Sequence, residues 1–417
     1  MASQVFCLTS NGGLPLLVRC KGGAEPLSFS HIASLNGVHM FANSQDVELE
    51  DTVSEGLVIC WKEYHNSLIL IGMSSVVTST VLREFLDSVF DAMVLSVGID
   101  ELVNLKNPER LKRELRIAYK VIDKLLENLE TDDQIESKGR SINNKMSCGS
   151  LNNLVETILC QENQALQNCL ENYLDMVESQ FGCMTIHGRI AVATPNWWAL
   201  DSREKKLLNT FISTLNENTV SCDVPIFLPY RSSSVPFRLV TIHLLAGVEI
   251  SMLCGPNPSI SDIEKNSLQV WRPIVEILQL SEKTYPRNFP PAINIDSNIL
   301  GFMLVNIPEG KFVMSRIQPK KEPTLLSGTH RINVLKTFYK KSARVFLMSD
   351  ETDNQQDAER SFGLETYWCS EYHKCHALRQ GGNLICVLYA AAVPSHTMRI
   401  ITKQCLKILI NEKQFYW

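Results

Sequence analysis

The sequence predicts an α/β protein of the α+β kind, made of three consecutive copies of one plan. The plan is a β-hairpin, a helix, a further group of strands and a closing helix. Three observations predict it. Pairs of β-rich runs meet at glycine-bearing turns in three places. A stretch of helical periodicity follows each hairpin. The distance from the hairpin glycine to the end of the last strand is 62 residues in the first copy (Gly13 to Ser75), 67 in the second (Gly188 to Gly255) and 84 in the third (Gly310 to Pro394). Self-similarity over such a period marks a repeat architecture.

The first copy opens with Val5 to Thr9, the turn Asn11-Gly12-Gly13, and Leu16 to Cys20. Phe29, Ile32, Leu35, Val38 and Phe41 then recur every three residues and predict a helix. Leu57 to Trp61 and Leu68 to Met73 are its further strands, and Thr78 to Met93 its closing helix. An extra helix starts at Pro108, a natural first-turn residue. Its apolar face is Leu111, Leu115, Ala118, Ile122, Leu125 and Leu129.

The second copy is preceded by a helix over Leu151 to Glu178. It opens with Cys183 to Ile186, His187-Gly188, and Ile190 to Ala193. Leu207, Leu208, Phe211, Ile212 and Leu215 mark its helix, Leu239 to Leu245 and Val248 to Leu253 its strands, and Ile260 to Leu280 its closing helix. In the third copy the hairpin is Phe302 to Asn306, Glu309-Gly310, and Phe312 to Ile317. Ile332, Leu335, Phe338 and Tyr339 mark its helix, Thr366 to Cys369 and Leu384 to Tyr389 its strands, and Ser395 to Ile410 its closing helix. The extra length of this copy is largely the acidic polar loop Ser349 to Arg360. Polar Glu130 to Ser150 and proline-bearing Ser281 to Ser297 read as linkers. The expected domains are therefore 1–130, 151–280 and 298–417, with linkers at 131–150 and 281–297.

Composition narrows the function classes. With 45% hydrophobic and 20% charged residues, the chain has ordinary globular values, which excludes general disorder. Forty basic against forty-five acidic residues leave a net charge of -5, so global basicity does not point to nucleic acid. Thirteen cysteines, an odd number scattered through apolar stretches, read as free thiols in a reducing compartment. Met1 to Cys20 lacks a basic leader region and reads as strands. The apolar runs Ser67 to Val77 and Leu384 to Val393 are too short to span a bilayer, and Leu239 to Gly255 carries His243 and Glu249. Proline disqualifies Asn257-Pro258-Ser259 as a glycosylation acceptor. The expectation is a soluble cytoplasmic protein.

No phosphate-binding loop, dinucleotide fingerprint, zinc-protease helix or nucleophile elbow occurs. No catalytic residue is expected, and no cofactor or metal. The one ligand-like cluster is Cys369, His373, Cys375 and His376. Its nitrogen and sulfur atoms suit zinc, but its spacing fits no zinc knuckle, and a thiol or metal enzyme built on it has no supporting constellation. Trp197-Trp198 before a helix start reads as a core plug with a surface neighbour.

The most informative charge pattern is on the extra helix. Lys106, Arg110, Arg113, Arg116, Lys120 and Lys124 fall within about 120° of a helical wheel, opposite the leucine face. Such a stripe suits anionic lipid headgroups, an acidic protein partner or plain solvation. The leucine face is used for packing, so deep insertion is not indicated.

The order of elements resembles a longin domain, a five-stranded, mainly antiparallel sheet flanked by helices. Five runs resemble the Fuzzy family of planar cell polarity effectors: Ser34-Leu35-Asn36-Gly37-Val38-His39-Met40-Phe41, Pro108-Glu109-Arg110-Leu111-Lys112, Trp197-Trp198, Leu253-Cys254-Gly255-Pro256 and Ile299-Leu300-Gly301. They lie in all three copies and keep their order. The resemblance implies a tri-longin subunit that pairs with Inturned and is joined by Fritz, in an assembly related to exchange factors for Rab-type small GTPases. It further implies a Rem/Rab-like GTPase partner, phosphoinositide binding, residence at the basal body and a role in cilium biogenesis, intraflagellar transport and Hedgehog-dependent development. No family motif assigns the basic stripe to the lipid contact.

Overall fold

The computed structural model describes residues 3–21, 26–54, 56–132, 151–215, 219–316, 328–350 and 364–411. They form three sheets of five or six strands with flanking helices. Two compact units result. One comprises Met1–Asn144, Ser213–Leu215 and Val224–Arg238, and the other Lys145–Ile212, Asn216–Asp223 and Leu239–Trp417.

The first domain runs β1 (Gln4–Thr9), β2 (Pro15–Cys20), α1 (Phe29–Ser44), β3 (Asp51–Ser54), β4 (Leu57–Tyr64), β5 (Leu68–Ser74) and α2 (Ser79–Val97). It continues with α3 (Ile99–Val103), α4 (Pro108–Glu114) and α5 (Tyr119–Asp132). Its strand order is β2-β1-β5-β4-β3. Alternation along the strands sends Phe6, Leu8, Ile69, Ile71 and Trp61 to one face, where they pack with Ile32 of α1. Buried Leu82, Leu86, Val89 and Met93 of α2 serve the other face. The β1–β2 turn needs glycine at position 13 for two reasons. Its φ is +63°, and a Cβ there would sit 2.4 Å from the Asn36 amide of α1.

The second domain comprises β6 (Val155–Glu156), α6 (Asn163–Met176), β7 (Phe181–Ile186), β8 (Arg189–Ala193), α7 (Pro195–Trp198) and α8 (Ser202–Ile212). It ends with β9 (Ser221–Leu228), β10 (Ser232–Leu245), β11 (Val248–Cys254), α9 (Ile260–Trp271) and α10 (Val275–Glu282). The third comprises β12 (Ile299–Asn306), β13 (Lys311–Met314), α11 (Gly328–Asp350), β14 (Leu364–Cys369), β15 (His373–Gln380), β16 (Asn383–Ala390) and α12 (Ser395–Asn411). Their orders, β8-β7-β11-β10-β9 and β14-β15-β16-β12-β13-β6, repeat the first permutation, with β6 added at one edge. In the third sheet Phe302 and Leu304 face Met398 and Leu406 of α12. The alternating Met303 and Val305 face Leu335 and Phe338 of α11.

Several expectations are corrected. The sequence pattern missed β3, β9 and β15, since none is an uninterrupted apolar run. β3 reads Asp-Thr-Val-Ser, β9 contains Pro225, and β15 is the stretch whose histidines and cysteine read as ligands. The helix expected over 151–178 begins only at Asn163. Before it, the chain is an extended strand bonded on both sides. Val155 N–H donates to Gly310 O at 3.0 Å and Thr157 N–H to Phe312 O at 2.7 Å, beside β13. Ile158 N–H donates to Ile190 O of β8 at 3.0 Å. Two waiting sheet edges thus outweigh the helical pattern of this segment. The helix expected over 260–280 breaks at Arg272–Ile274, where Pro273 cannot continue it. The extra helix is likewise split, by a 3-10 turn over Leu115–Ala118. Residues 133–150 and 351–363, with most of the first linker and the acidic loop, lie outside the described residues.

One carboxylate secures the join between β13 and β8. Glu156 Oε1 accepts from Arg189 Nε at 3.0 Å and Asn288 Nδ2 at 3.0 Å. Arg316 Nη2 stands 3.4 Å from the same oxygen. Replacing Glu156 by Ala leaves the mostly buried Arg189 without its carboxylate. It is expected to cost about 3 kcal/mol, read as a lower urea midpoint for this unit; an unchanged midpoint would show that the join does not depend on the pair.

Candidate functional site

The first domain presents an apolar surface that its own core does not use. The three-residue spacing of Phe29, Ile32, Leu35, Val38 and Phe41 advances 300° per step, so these side chains spiral round α1 rather than share a face. Ile32, Asn36 and His39 are buried, and Trp61 Nε1 donates to Leu35 O at 3.2 Å. Val38 (53% exposed) and Phe41 (70%) lie on the side away from these, while Phe29 (65%) and Met40 (50%) are exposed along its flank. Exposed neighbours as large as Val38 and Phe41 on one side of a helix are the kind of apolar patch that protein contacts use.

At one edge of the same sheet, β3 has no outer neighbour among the described residues. Trp61 N–H donates to Glu50 O at 2.9 Å, which makes 50 and 61 a hydrogen-bonded pair. By antiparallel alternation, Asp51 and Val53 turn their N–H and C=O groups outward. The Val53 side chain is 66% exposed. An open strand edge plus an apolar helix surface equips this domain for sheet extension by another chain. The sequence pattern predicts this helix without saying which of its apolar residues are buried. The missed signal was the strict three-residue period, which no single helix face can satisfy.

All six residues of the basic stripe are exposed. They lie on two helices: Arg110 and Arg113 on α4, Lys120 and Lys124 on α5, with Arg116 in the 3-10 turn and Lys106 before α4. Leu111, Leu115, Ala118, Val121, Ile122, Leu126 and Leu129 form the buried side, while Leu125 is half-buried. Arg110 Nε pairs with Glu114 at 2.8 Å and Lys124 with Glu127 at 3.1 Å. Arg113 Nε reaches Glu109 O at 3.3 Å. The remaining three have no ion pair among the described residues.

Cys369, His373, Cys375 and His376 do not converge. They span a hairpin, with Cys369 exposed at the end of β14. Cys375 is buried against α11, and His376 points to the opposite face, where its Nδ1 lies 2.7 Å from Thr402 Oγ1 of α12. Among the described residues no three His, Cys, Asp or Glu side chains are placed to hold a metal ion. All twelve described cysteines are free. Burial, the largest cause in each case, lifts Cys160, Cys375 and Cys405 to about 12, away from thiolate chemistry. No described helix is long and apolar enough to cross a membrane. Trp197 is fully buried behind a Thr194 cap. Trp198 is half-buried, with Lys311 Nζ 4.8 Å and Lys205 Nζ 5.7 Å from its ring centre.

Three sheets of one permutation, each flanked by helices, define a tri-longin protein. Family models described as the first, second and third "Longin domain of FUZ, MON1 and HPS1" match residues 3–125, 177–272 and 298–413. The chain is 35% identical to "Protein fuzzy homolog" of Xenopus tropicalis, over 99% of both chains. It is 35% identical to that of Homo sapiens, over 81% of this chain and 78% of the human one. To the Mus musculus protein it is 31% identical over 97% of each. The chain belongs to the Fuzzy family of planar cell polarity effectors.

Burial pushes the His376 imidazole down from 6.5 to about 4, against the opposing pull of Glu365. The folded value lies below the unfolded one, so the unfolded chain holds the extra proton. The stability from the neutral ring is complete above 6.5 and is lost as pH falls from 6.5 towards 4, by at most about 1.4 kcal/mol per pH unit. His376→Gln is expected to flatten that part of the stability–pH curve. An unaltered curve would mean that His376 is not the group responsible.

Proposed function

We propose that this chain is the non-catalytic half of a heterodimeric tri-longin assembly with Inturned. In this reading Fritz joins the pair, and the assembly binds or activates Rab-type and Rem/Rab-like small GTPases at the basal body in the cytoplasm. There it serves cilium biogenesis, intraflagellar transport and membrane traffic to the cilium. The observation that carries the reading is the pairing of the exposed α1 surface with the open β3 edge in one domain. Burying a single side chain such as Phe41 or Val38 is worth about 1.5–3 kcal/mol before the cost of association. Exchange on a GTPase requires no nucleophile or base. It requires tighter binding to the nucleotide-free than to the nucleotide-bound state.

The full exposure of the basic stripe favours a second reading, a phosphoinositide-binding membrane adaptor or scaffold without exchange activity. Each well-placed basic side chain there adds about 1 kcal/mol of attraction to an anionic membrane.

The first reading predicts that Val38→Glu with Phe41→Glu cuts co-purification with Inturned at least about tenfold. Because both side chains are exposed, the melting temperature should stay close to that of the unaltered chain. Full retention of Inturned by the folded double variant would remove α1 from the interface. The second reading predicts that Arg113→Glu, Arg116→Glu and Lys120→Glu together lower sedimentation with phosphoinositide vesicles more than about tenfold. Undiminished sedimentation would dismiss the stripe as the lipid contact.

A further inference from the structure

The third domain has an open edge of its own, and its chemistry differs from that of β3. β14 is the counterpart of β3 in the repeated strand order, and no described strand lies outside it. Ser370 N–H donates to His373 O at 2.9 Å, so 370 and 373 form a hydrogen-bonded pair. Continuing the register with β15, Glu365, Tyr367 and Cys369 turn their N–H and C=O groups away from the sheet. The strand carries neither proline, lysine nor a bulge, and its one charged residue is Glu365.

The surroundings of this edge are basic. On the α12 face, Glu365 is held by Arg399 Nε at 2.9 Å and Lys403 Nζ at 3.4 Å, so one carboxylate meets two half-exposed cations. α12 contains no acidic residue, and exposed Ile400 lies between the two cations. On the α11 face, Trp368 stacks on Phe338 at 6.1 Å, and Lys341 Nζ lies 4.4 Å from its ring centre. Tyr367 is 45% exposed along the edge itself.

We propose that β14 is a docking edge for an extended, acidic segment of a partner protein. The segment adds as a further strand. Its backbone pairs with Glu365, Tyr367 and Cys369, its carboxylates face Arg399 and Lys403, and its alternate apolar side chains lie beside Trp368. A membrane would use the cations but leave the outward backbone groups idle, and it is those groups that favour a strand.

The test is fluorescence anisotropy of the full chain with a labelled seven-residue peptide of alternating Glu and Val, against one of alternating Lys and Val. The acidic peptide should bind saturably below about 100 µM and the basic one at least about tenfold more weakly. Arg399→Glu with Lys403→Glu should reverse that preference, an outcome that a misfolded variant cannot give. Tyr367→Pro removes an outward N–H without touching the ladder to β15 and should weaken the acidic peptide about tenfold. No binding at 1 mM, or no change of preference in the charge-reversed variant, would overturn the proposal. So would capture of anionic vesicles that needs Arg399 and Lys403 but ignores Tyr367→Pro, since that marks a lipid surface.

Discussion

Strand edges are the constraint around which this molecule is arranged. An edge strand leaves half of its backbone donors and acceptors without a ladder, and each must find water, another element or another chain. The chain disposes of its edges in several ways. Residues 155–158 close β13 and β8 together, and Glu156 locks that closure with two arginines and an asparagine. Helices α4 and α5 pack against β2, where Asp123 of α5 pairs with Arg19 and the Lys21 ammonium reaches Glu127 O at 2.7 Å. Pro225 removes a donor from β9. That leaves β3 and β14 as edges among the described residues with outward groups and no proline, lysine or covering strand.

The two open edges are not equivalent, and the difference is electrostatic. Beside β3, Glu50 and Asp51 share the single guanidinium of Arg83, at 2.6 Å each. Beside β14, two cations share Glu365. One edge therefore carries surplus carboxylate and an apolar helix, the other surplus cation and an aromatic face. In the proposed assembly a repeated domain thus acquires distinct partners by changing only what flanks a common edge strand. In that proposal, specificity resides in such flanking residues rather than in the shared fold.

Much of this architecture was legible in the amino-acid sequence, and the rest was hidden for physical reasons. Hairpin glycines such as Gly13, Gly188 and Gly310 act locally, so they can be read one residue at a time. The buried strands around β1, β7 and β12 are apolar on both faces and stand out. Edge strands do not, because half of each faces solvent: Asp-Thr-Val-Ser of β3 reads as loop. Val155 to Ile158 had short-range helical character and was decided by contacts 32 and 155 residues away. The α1 surface was hidden for a related reason. Phe29, Val38 and Phe41 are apolar without being core, and hydrophobicity alone does not say whether a side chain packs within its own chain or awaits another. The six stripe residues, by contrast, were read as exposed from the wheel alone, because the buried leucines opposite them fix the orientation of the helix.

Backbone hydrogen exchange on this chain, alone and bound to Inturned, bears most directly on the central claim that the α1–β3 surface of the first domain is where the partner chain docks. The account predicts slowed exchange at the outward amides of Asp51 and Val53 in the complex, with protection extending along α1. Unchanged exchange at both amides, with protection confined to other domains, would contradict it.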